Sequence, residues 1–466
     1  MLPRRQLLKG SAAIAALTAW PELGFAADGV LSDAPINLCA SEVQRPLLPG
    51  RRPSRLFLYD GISPGPTIRR QQGDRLRVLF HNDLSVPSTI HWHGVRLTNR
   101  MDGVPNLTQA PVRAGETYLY DFILPDAGTY WYHAHFNSLE QVARGLYGPL
   151  IIEGDTSLSS SSRDVVLTLD DWWIDDDGRF VDGFTDWSQG KPGGRIGNIA
   201  TVNGNSPGQL VEIPAATPVR LRLINAANAR EFFPDFKGAE AKVVAVDGQP
   251  LAEPHPVTGP LRLGPAQRLD LMVRLPSGGE ARLAEASGTL LGNQTLAVFR
   301  AGPPDKNAPQ NVQLRPPNLT RPGPNNALQI PLVMTGGSSA EIAGARYQDA
   351  QRNLKQLVRA QQVWAFNQTA DLPKQPLFRA KRGASVLVQM ENLTGWSHAM
   401  HVHGHHFQVL NSRDDLDAKA WRDTVMIDRN QKVEIAFVVD NPGRWLLHCH
   451  MLQHAVSGMR TWFEVV

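Results

Sequence analysis

Residues 448–459 read His-Cys-His-Met-Leu-Gln-His-Ala-Val-Ser-Gly-Met, and Cys449 is one of only two cysteines in 466 residues. A thiolate at 449, an imidazole at 454 and a thioether at 459 suit a mononuclear blue-copper centre. In such a centre two His and one Cys form a trigonal plane and a Met is the weak axial ligand. Side chains alternate along a strand, so Cys449 faces one way while His448 and His450 face the other. One strand then holds copper on one side and offers two imidazoles to a second metal centre on the other. The covalent path between the two centres is short, as fast electron transfer requires.

Ten of the fourteen histidines fall in four groups: His91 and His93; His133 and His135; His398, His401 and His403; His448, His450 and His454. Imidazole favours copper and zinc. In His-X-His on a strand both rings project from one face, close enough to serve adjacent metals. Four such pairs, two near each end of the chain, point to a shared multinuclear site where the terminal domains meet. His405 and His406 follow the third group directly and read as packing residues or supports for the ligands. His81 and His255 stand alone and read as structural or surface residues.

The elements that position these groups read as strands. Short runs rich in Val, Leu, Ile, Phe and Tyr alternate with Gly, Pro, Asn and Asp turns, as in Arg75–Phe80, Thr117–Ile123, Val165–Leu169, Val219–Ile224, Leu269–Arg274 and Lys432–Val438. The segment Ser339–Gln362, rich in Ala, Gln and Arg, is the one helical candidate. Internal repeats are visible. Gly128-Thr-Tyr-Trp-Tyr-His-Ala-His135 matches Gly443-Arg-Trp-Leu-Leu-His-Cys-His450, and His91-Trp-His-Gly94 matches His401-Val-His-Gly404. A weaker motif, an apolar-rich strand ending in Asn, occurs three times, at 75–82, 219–225 and 385–392. Three related β-sandwich domains follow, with histidine pairs in the first and third only. The Pro- and Asn-rich stretch 301–329 reads as the linker into the last domain.

The four histidine motifs, in this order and spacing, resemble those of the multicopper oxidases, which include laccases, bilirubin oxidases, ascorbate oxidases and copper-efflux oxidases. The likeness covers nearly the whole chain after its N-terminal segment, including Gly65-Pro66-Thr67-Ile68 and Val202-Asn203-Gly204. It implies an all-β chain of three consecutive cupredoxin-like Greek-key sandwiches at 28–157, 158–300 and 330–466. It also implies four coppers. His398, Cys449 and His454 would hold a type 1 copper, with Met459 axial. His91 and His401 would hold the type 2 copper. His93, His133, His135, His403, His448 and His450 would hold the type 3 pair. Electrons would pass from the type 1 site through Cys449, His448 and His450, and O2 would be reduced to water at the trinuclear cluster. Asp102, in Met101-Asp102-Gly103, resembles the acidic residue that helps deliver protons for that reduction; the alternative is that Asp-Gly is simply a tight turn. Many bacterial relatives carry a carboxylate just after the second type 1 histidine. Here that residue is Ala455, which puts a second proton route in doubt.

The reductant is less well marked. Copper-efflux oxidases carry a methionine-rich insertion in the last domain, where soft thioethers recruit Cu(I). The stretch 336–362 has no methionine, and the nine methionines of the chain are scattered. Phenols or aromatic amines are therefore the expected reductants, with periplasmic oxidation of Cu(I) or another metal ion as the alternative. A non-catalytic copper-binding protein would be expected to have a damaged ligand set, and none of the expected ligands is missing. Copper nitrite reductases are shorter and lack the His-Cys-His triplet.

The net charge is +3, with basic and acidic residues interleaved, so no basic stripe marks a nucleic-acid partner. Arg4-Arg5-Gln6-Leu7-Leu8-Lys9, the apolar run from Ala12 to Trp20 and the small residues before Ala27 read as a twin-arginine export signal over 1–27. Cleavage is expected after Ala26 or Ala27. The run is too short to span a bilayer. The expected partners are thus the twin-arginine export machinery, O2 and a small reductant, and the expected location is the periplasm. If Cys449 ligates copper, Cys39 has no disulfide partner and reads as a small buried residue. Three domains accommodate both copper sites in one chain, so a monomer is expected.

Overall fold

Period-two burial sets the strands. In Arg75–Asn82 the buried residues are Leu76, Val78, Phe80 and Asn82, and in Ser385–Asn392 they are Val386, Val388, Met390 and Asn392. The middle copy, Val219–Asn225, is buried throughout, as a strand covered on both faces must be. The computed structural model describes residues 34–48, 50–154, 163–184, 193–288, 294–308, 314–323, 326–337, 342–411, 416 and 420–466. The export-signal segment lies outside them.

The same strand pairing occurs three times. Each copy of the Asn-ending strand pairs in parallel with the strand that opens its repeat: Ile36–Pro46 with Arg75–Asn82, Asp164–Trp172 with Val219–Asn225, and Leu328–Gly336 with Ser385–Asn392. A second sheet in each repeat is likewise closed by a parallel pair: Ile68–Gln71 with Tyr147–Glu153, Gln209–Pro214 with Thr295–Gly302, and Arg379–Ala380 with Arg460–Val465. The remaining pairings within these sheets are antiparallel. The chain is therefore all-β, with three consecutive cupredoxin-like sandwiches. Ile36–Val466 forms one compact unit. One apolar cluster runs through the first and third repeats, from Leu38 and Trp92 to Met400 and Phe463. A separate cluster fills the middle one. The described residues between Gly302 and Leu328 form no strand and no α-helix.

The terminal Asn of the repeated motif does the same work each time. Asn82, Asn225 and Asn392 are fully buried. Each side-chain oxygen accepts from the amide two residues on: Leu84 at 3.2 Å, Ala227 at 3.0 Å and Thr394 at 2.9 Å. Each Nδ2 donates to a carbonyl four or five residues ahead: Val86, Arg230 and Trp396. The amide satisfies backbone groups at a sharp exit from the strand that would otherwise be stranded in the core.

The helical expectation for Ser339–Gln362 is corrected. Its described part is a hairpin, Gly344–Tyr347 with Ala350–Asn353, followed by a single short helix. Gln348 and Asp349 both adopt positive φ, as a two-residue hairpin turn demands. Asn353 then caps Leu354–Arg359, exchanging 3.0 Å bonds with Gln356, and the chain leaves the helix at Gln361, which has φ 56°. Composition favoured a helix there, but the turn and the cap confine it to six residues. Among the described residues the α-helices are, in chain order, α1 (Ser138–Ala143), α2 (Leu354–Arg359) and α3 (Leu452–Val456). Among the described residues no helix is long and apolar enough to cross a membrane.

Candidate metal centre

Strand Gly443–Cys449 pairs antiparallel with His398–Val402, so that Met400 faces Cys449 and His401 faces His448. Strand Ile90–His93 pairs likewise with Gly128–Ala134, bringing His91 opposite His133. These registers gather all four histidine motifs. Among the described residues four groups made of His and Cys alone result, each with ligand atoms within 4.8 Å of one another: His398, Cys449 and His454; His91, His93 and His401; His93, His133 and His450; His135, His403 and His448. All of these residues are buried except His135, which is partly exposed. The expected alternation holds. Cys449 joins one group, and its neighbours His448 and His450 join two others.

At the cysteine group, Sγ lies 3.7 Å from both His398 Nδ1 and His454 Nδ1, which are 3.1 Å apart. A point equidistant from the three atoms is about 2 Å from each, an ordinary metal–nitrogen distance. The tautomer of His398 follows from its neighbours. Thr394 donates its hydroxyl to Asn392 Oδ1 at 2.8 Å, so its oxygen can only accept from His398 Nε2, also at 2.8 Å. Nδ1 of His398 is then a bare lone pair facing the thiol. The strand-ending Asn of the third repeat thus orients His398, through Thr394, as well as a turn. Met459 is fully buried, its carbonyl accepts from Cys449 N at 3.1 Å, and its own N donates to His454 O at 3.0 Å. Trp364 covers His454, with ring centres 4.3 Å apart. Burial pushes the Cys449 thiol up to about 12. A bound metal reverses that, because coordination deprotonates a thiol outright.

The histidine cluster passes the same test. Nδ1 donates to a backbone carbonyl in His91 (Asp102 O, 2.8 Å), His133 (Ala134 O, 3.0 Å), His401 (Asp423 O, 2.8 Å) and His448 (Cys449 O, 2.9 Å). In His403 it donates to the Asp102 carboxylate at 2.9 Å. All five rings therefore present a bare Nε2. Those of His91 and His401 are buried with no hydrogen-bond partner. Those of His403 and His448 face each other at 3.1 Å. Neither ring has a proton to place between them, so this contact calls for a cation. Burial first, and neighbouring imidazoles next, hold His93, His133, His403, His448 and His450 well below the usual imidazole range. They stay neutral, the form that binds metal.

Asp102 is fully buried and touches two of the clustered imidazoles. Its Oδ2 accepts from His403 and its backbone carbonyl accepts from His91, while Oδ1, 3.2 Å from His91 Nδ1, receives no hydrogen bond. His405 and His406 are buried outside the cluster. His405 packs among Phe437, Trp445 and Phe463, and His406 sits 3.5 Å from Gln249 Nε2. His81 contacts Asn37 and His255 is half-buried in a strand. Ala455 is buried in α3.

The sequence reading missed Asp423, Thr424, Arg268 and Asp247. Asp423 and Thr424 touch His93 and His401, and Arg268 binds the Asp423 carboxylate from the middle repeat. The only signal was local: Arg422-Asp423-Thr424 follows the third histidine group within the same repeat. Nothing in one sequence singles out that carboxylate from the other acidic residues.

A three-sandwich chain with a Cys-His₂ centre strung directly onto a buried histidine cluster defines a copper-dependent oxidoreductase that uses O2. Residues 43–157, 163–280 and 346–466 each match a profile described as "Multicopper oxidase". The multicopper oxidase MmcO of Mycobacterium tuberculosis is 30% identical over 88% of this chain and 82% of its own. A protein named Laccase-1 from Botryotinia fuckeliana is 27% identical over 92% of this chain and 80% of its own. The crystal structure of a multi-copper oxidase from Pseudomonas thermotolerans superposes with a TM-score of 0.79 at 32% identity, covering 93% of this chain and 99% of that one. The chain belongs to the multicopper oxidase family.

Proposed function

We propose that this is a laccase-like oxidase with four coppers that takes single electrons from phenols or aromatic amines and reduces O2 to two waters. His398, Cys449, His454 and Met459 would hold the type 1 copper, and His91 and His401 the type 2 copper. The triads His93, His133, His450 and His135, His403, His448 would hold the type 3 pair. One observation carries the reading: Cys449 Sγ lies 3.7 Å from each of two facing imidazole nitrogens, room for one metal ion between the three, and its two peptide neighbours belong to two different histidine triads. Copper bound there supplies the one-electron steps and the chemistry of oxygen. The chain's own part is to fix ligand tautomers through backbone carbonyls, link the two centres through residues 448–450, and keep the cluster buried.

The surroundings of α3 support an aromatic reductant. A cavity of about 180 Å³ lies between α1, residues 360–362 and α3, the helix that carries His454. Phe184 lines it, and so do Gln362 and Gln453, whose buried side-chain oxygens have no hydrogen-bond partner. Acceptors beside an aromatic wall suit the O–H or N–H of a phenol or arylamine. Among the described residues no sulfur lines the cavity. Among the described residues seven methionines are buried and Met272 is half-buried, so none offers Cu(I) an exposed thioether. The test is oxygen uptake by the copper-loaded protein with a dimethoxyphenol or Cu(I) supplied separately. Faster uptake with the phenol is expected. Faster uptake with Cu(I) would make it a copper-detoxifying oxidase instead.

Met459→Leu is expected to raise the type 1 reduction potential, because a weak thioether donor is exchanged for none. An unchanged potential by redox titration would remove Met459 from the ligand set. The twin-arginine pattern at Arg4 and Arg5 supports export to the periplasm by a route that carries folded proteins. Changing both to Lys should strand the enzyme in the cytoplasm. All proposed ligands come from one chain, which supports a monomer.

A further inference from the structure

His93 differs from the five imidazoles of the histidine cluster that present Nε2: it exposes Nδ1. Its Nε2 lies 3.2 Å from Asp423 Oδ1 and 3.3 Å from Thr424 Oγ1, and its Nδ1 is buried with no partner. The proton must sit on Nε2. Thr424 donates its hydroxyl to Asp423 Oδ1 at 2.8 Å, so its oxygen can only accept from the imidazoles around it. Those are His93 and, at 3.1 Å, His401 Nδ1. His91, His133, His401 and His448 have their tautomer set by a backbone carbonyl, which no substitution removes. The tautomer of His93 depends on two side chains.

Asp423 is itself held from the middle repeat, which supplies no ligand. Arg268, fully buried, grips both carboxylate oxygens, Nη1 to Oδ1 at 2.8 Å and Nη2 to Oδ2 at 2.5 Å. Its remaining bonds go to Thr129 O in the first repeat at 3.0 Å and Ala266 O at 3.1 Å. Asp247, also of the middle repeat, accepts from the amides of Asp423 at 3.3 Å, Thr424 at 3.1 Å and Arg268 at 3.1 Å. Both the side chain and the backbone of the orienting carboxylate are thus clamped across a domain boundary. A bidentate guanidinium–carboxylate pair fixes geometry as well as charge. Stability alone does not account for it, since a buried ion pair adds little over well-packed apolar residues.

We propose that Arg268 is a positioning residue for the histidine cluster. By holding the Asp423 side chain against His93 Nε2, it turns the Nδ1 lone pair of His93 into the type 3 site. The inference rests on the proposed trinuclear reading, so the wild-type chain is the reference throughout. The experiment loads the full chain and its variants with copper alone. It follows copper bound per chain, the electron paramagnetic resonance of the type 2 centre, the blue absorption of the Cys449 centre, and the melting temperature before loading.

Arg268→Lys keeps the charge but cannot grip both oxygens. Asp423→Asn keeps the shape but can donate to His93 Nε2 and shift its proton to Nδ1; it carries the test if Arg268→Lys does not fold. Either is expected to weaken copper binding at the cluster by about 10–100-fold while the blue absorption keeps its intensity. Unchanged cluster affinity in a folded variant overturns the proposal. So does parallel loss at both centres, which would make the network structural glue. If the wild-type chain itself binds no copper beyond the blue centre, the trinuclear reading fails first and the inference with it.

Discussion

Cys449→Ser should erase the blue absorption and cut phenol-driven oxygen uptake by more than about 10³-fold, the scale of loss when one member of an interdependent set is removed. The expected copper content falls by one per chain, from the cysteine centre alone. A thiolate is soft and matches copper, whereas a serine hydroxyl is hard and keeps its proton. The site adds to that difference. Cys449 is fully buried, and burial already opposes its ionisation; an alkoxide there would be costlier still. The strand does not depend on the sulfur. Cys449 N donates to Met459 O, and His450 N donates to Ala399 O at 2.6 Å. The variant should therefore fold, with His448 and His450 still in their triads. Absorption, metal analysis and oxygen uptake on one preparation are enough. A persisting blue band would show that the thiolate at 449 is not the type 1 ligand.

The clustering of the four histidine motifs with Cys449 was legible because it is carried by rare residue types at fixed short spacing. Two cysteines and fourteen histidines leave little room for coincidence, and strand alternation predicts on which side each falls. The repeats were legible for a related reason. The Asn at 82, 225 and 392 must meet the same backbone demand at each strand exit, so the residue recurs. The supports of the ligands were not legible. Asp423 and Arg268 are 155 residues apart and become partners only when two sandwiches dock. Charged residues are common and carry no periodic signal, so a single chain does not distinguish this pair from surface charge. Helices were misread for a local reason. The stretch 339–362 has helical composition, but a left-handed pair at Gln348 and Asp349 turns it into a hairpin. α3 was hidden inside the ligand motif itself, where one short helix accounts for the five-residue step from Cys449 to His454.

Asp102→Asn decides between the two meanings of Asp-Gly at 102–103. The turn is real: Asp102 has φ −69° and ψ −20°, and Gly103 follows at φ 81° with its Cα so close to Ile90 that a Cβ would fall 1.9 Å from the carbonyl oxygen. Only glycine fits at 103. Asparagine, however, serves such a turn as well as aspartate does. If the turn were the whole role, Asp102→Asn would change nothing. The carboxylate faces inward instead, with Oδ2 on His403 Nδ1 and Oδ1 buried without a hydrogen bond. That free oxygen can take up and release a proton beside the cluster; an amide cannot. Oxygen turnover under excess reductant should fall by about 10²–10⁴-fold, the usual worth of a positioned proton donor. The loss belongs in kcat for oxygen reduction. Reduction of the type 1 centre by a phenol, followed anaerobically as bleaching of the blue band, should keep its rate. Because solvent must then supply the protons, residual turnover should also drop more steeply as pH rises than in the wild-type enzyme. Unchanged turnover in a variant that keeps its full copper content would return Asp102 to the role of a turn residue that orients His91 and His403.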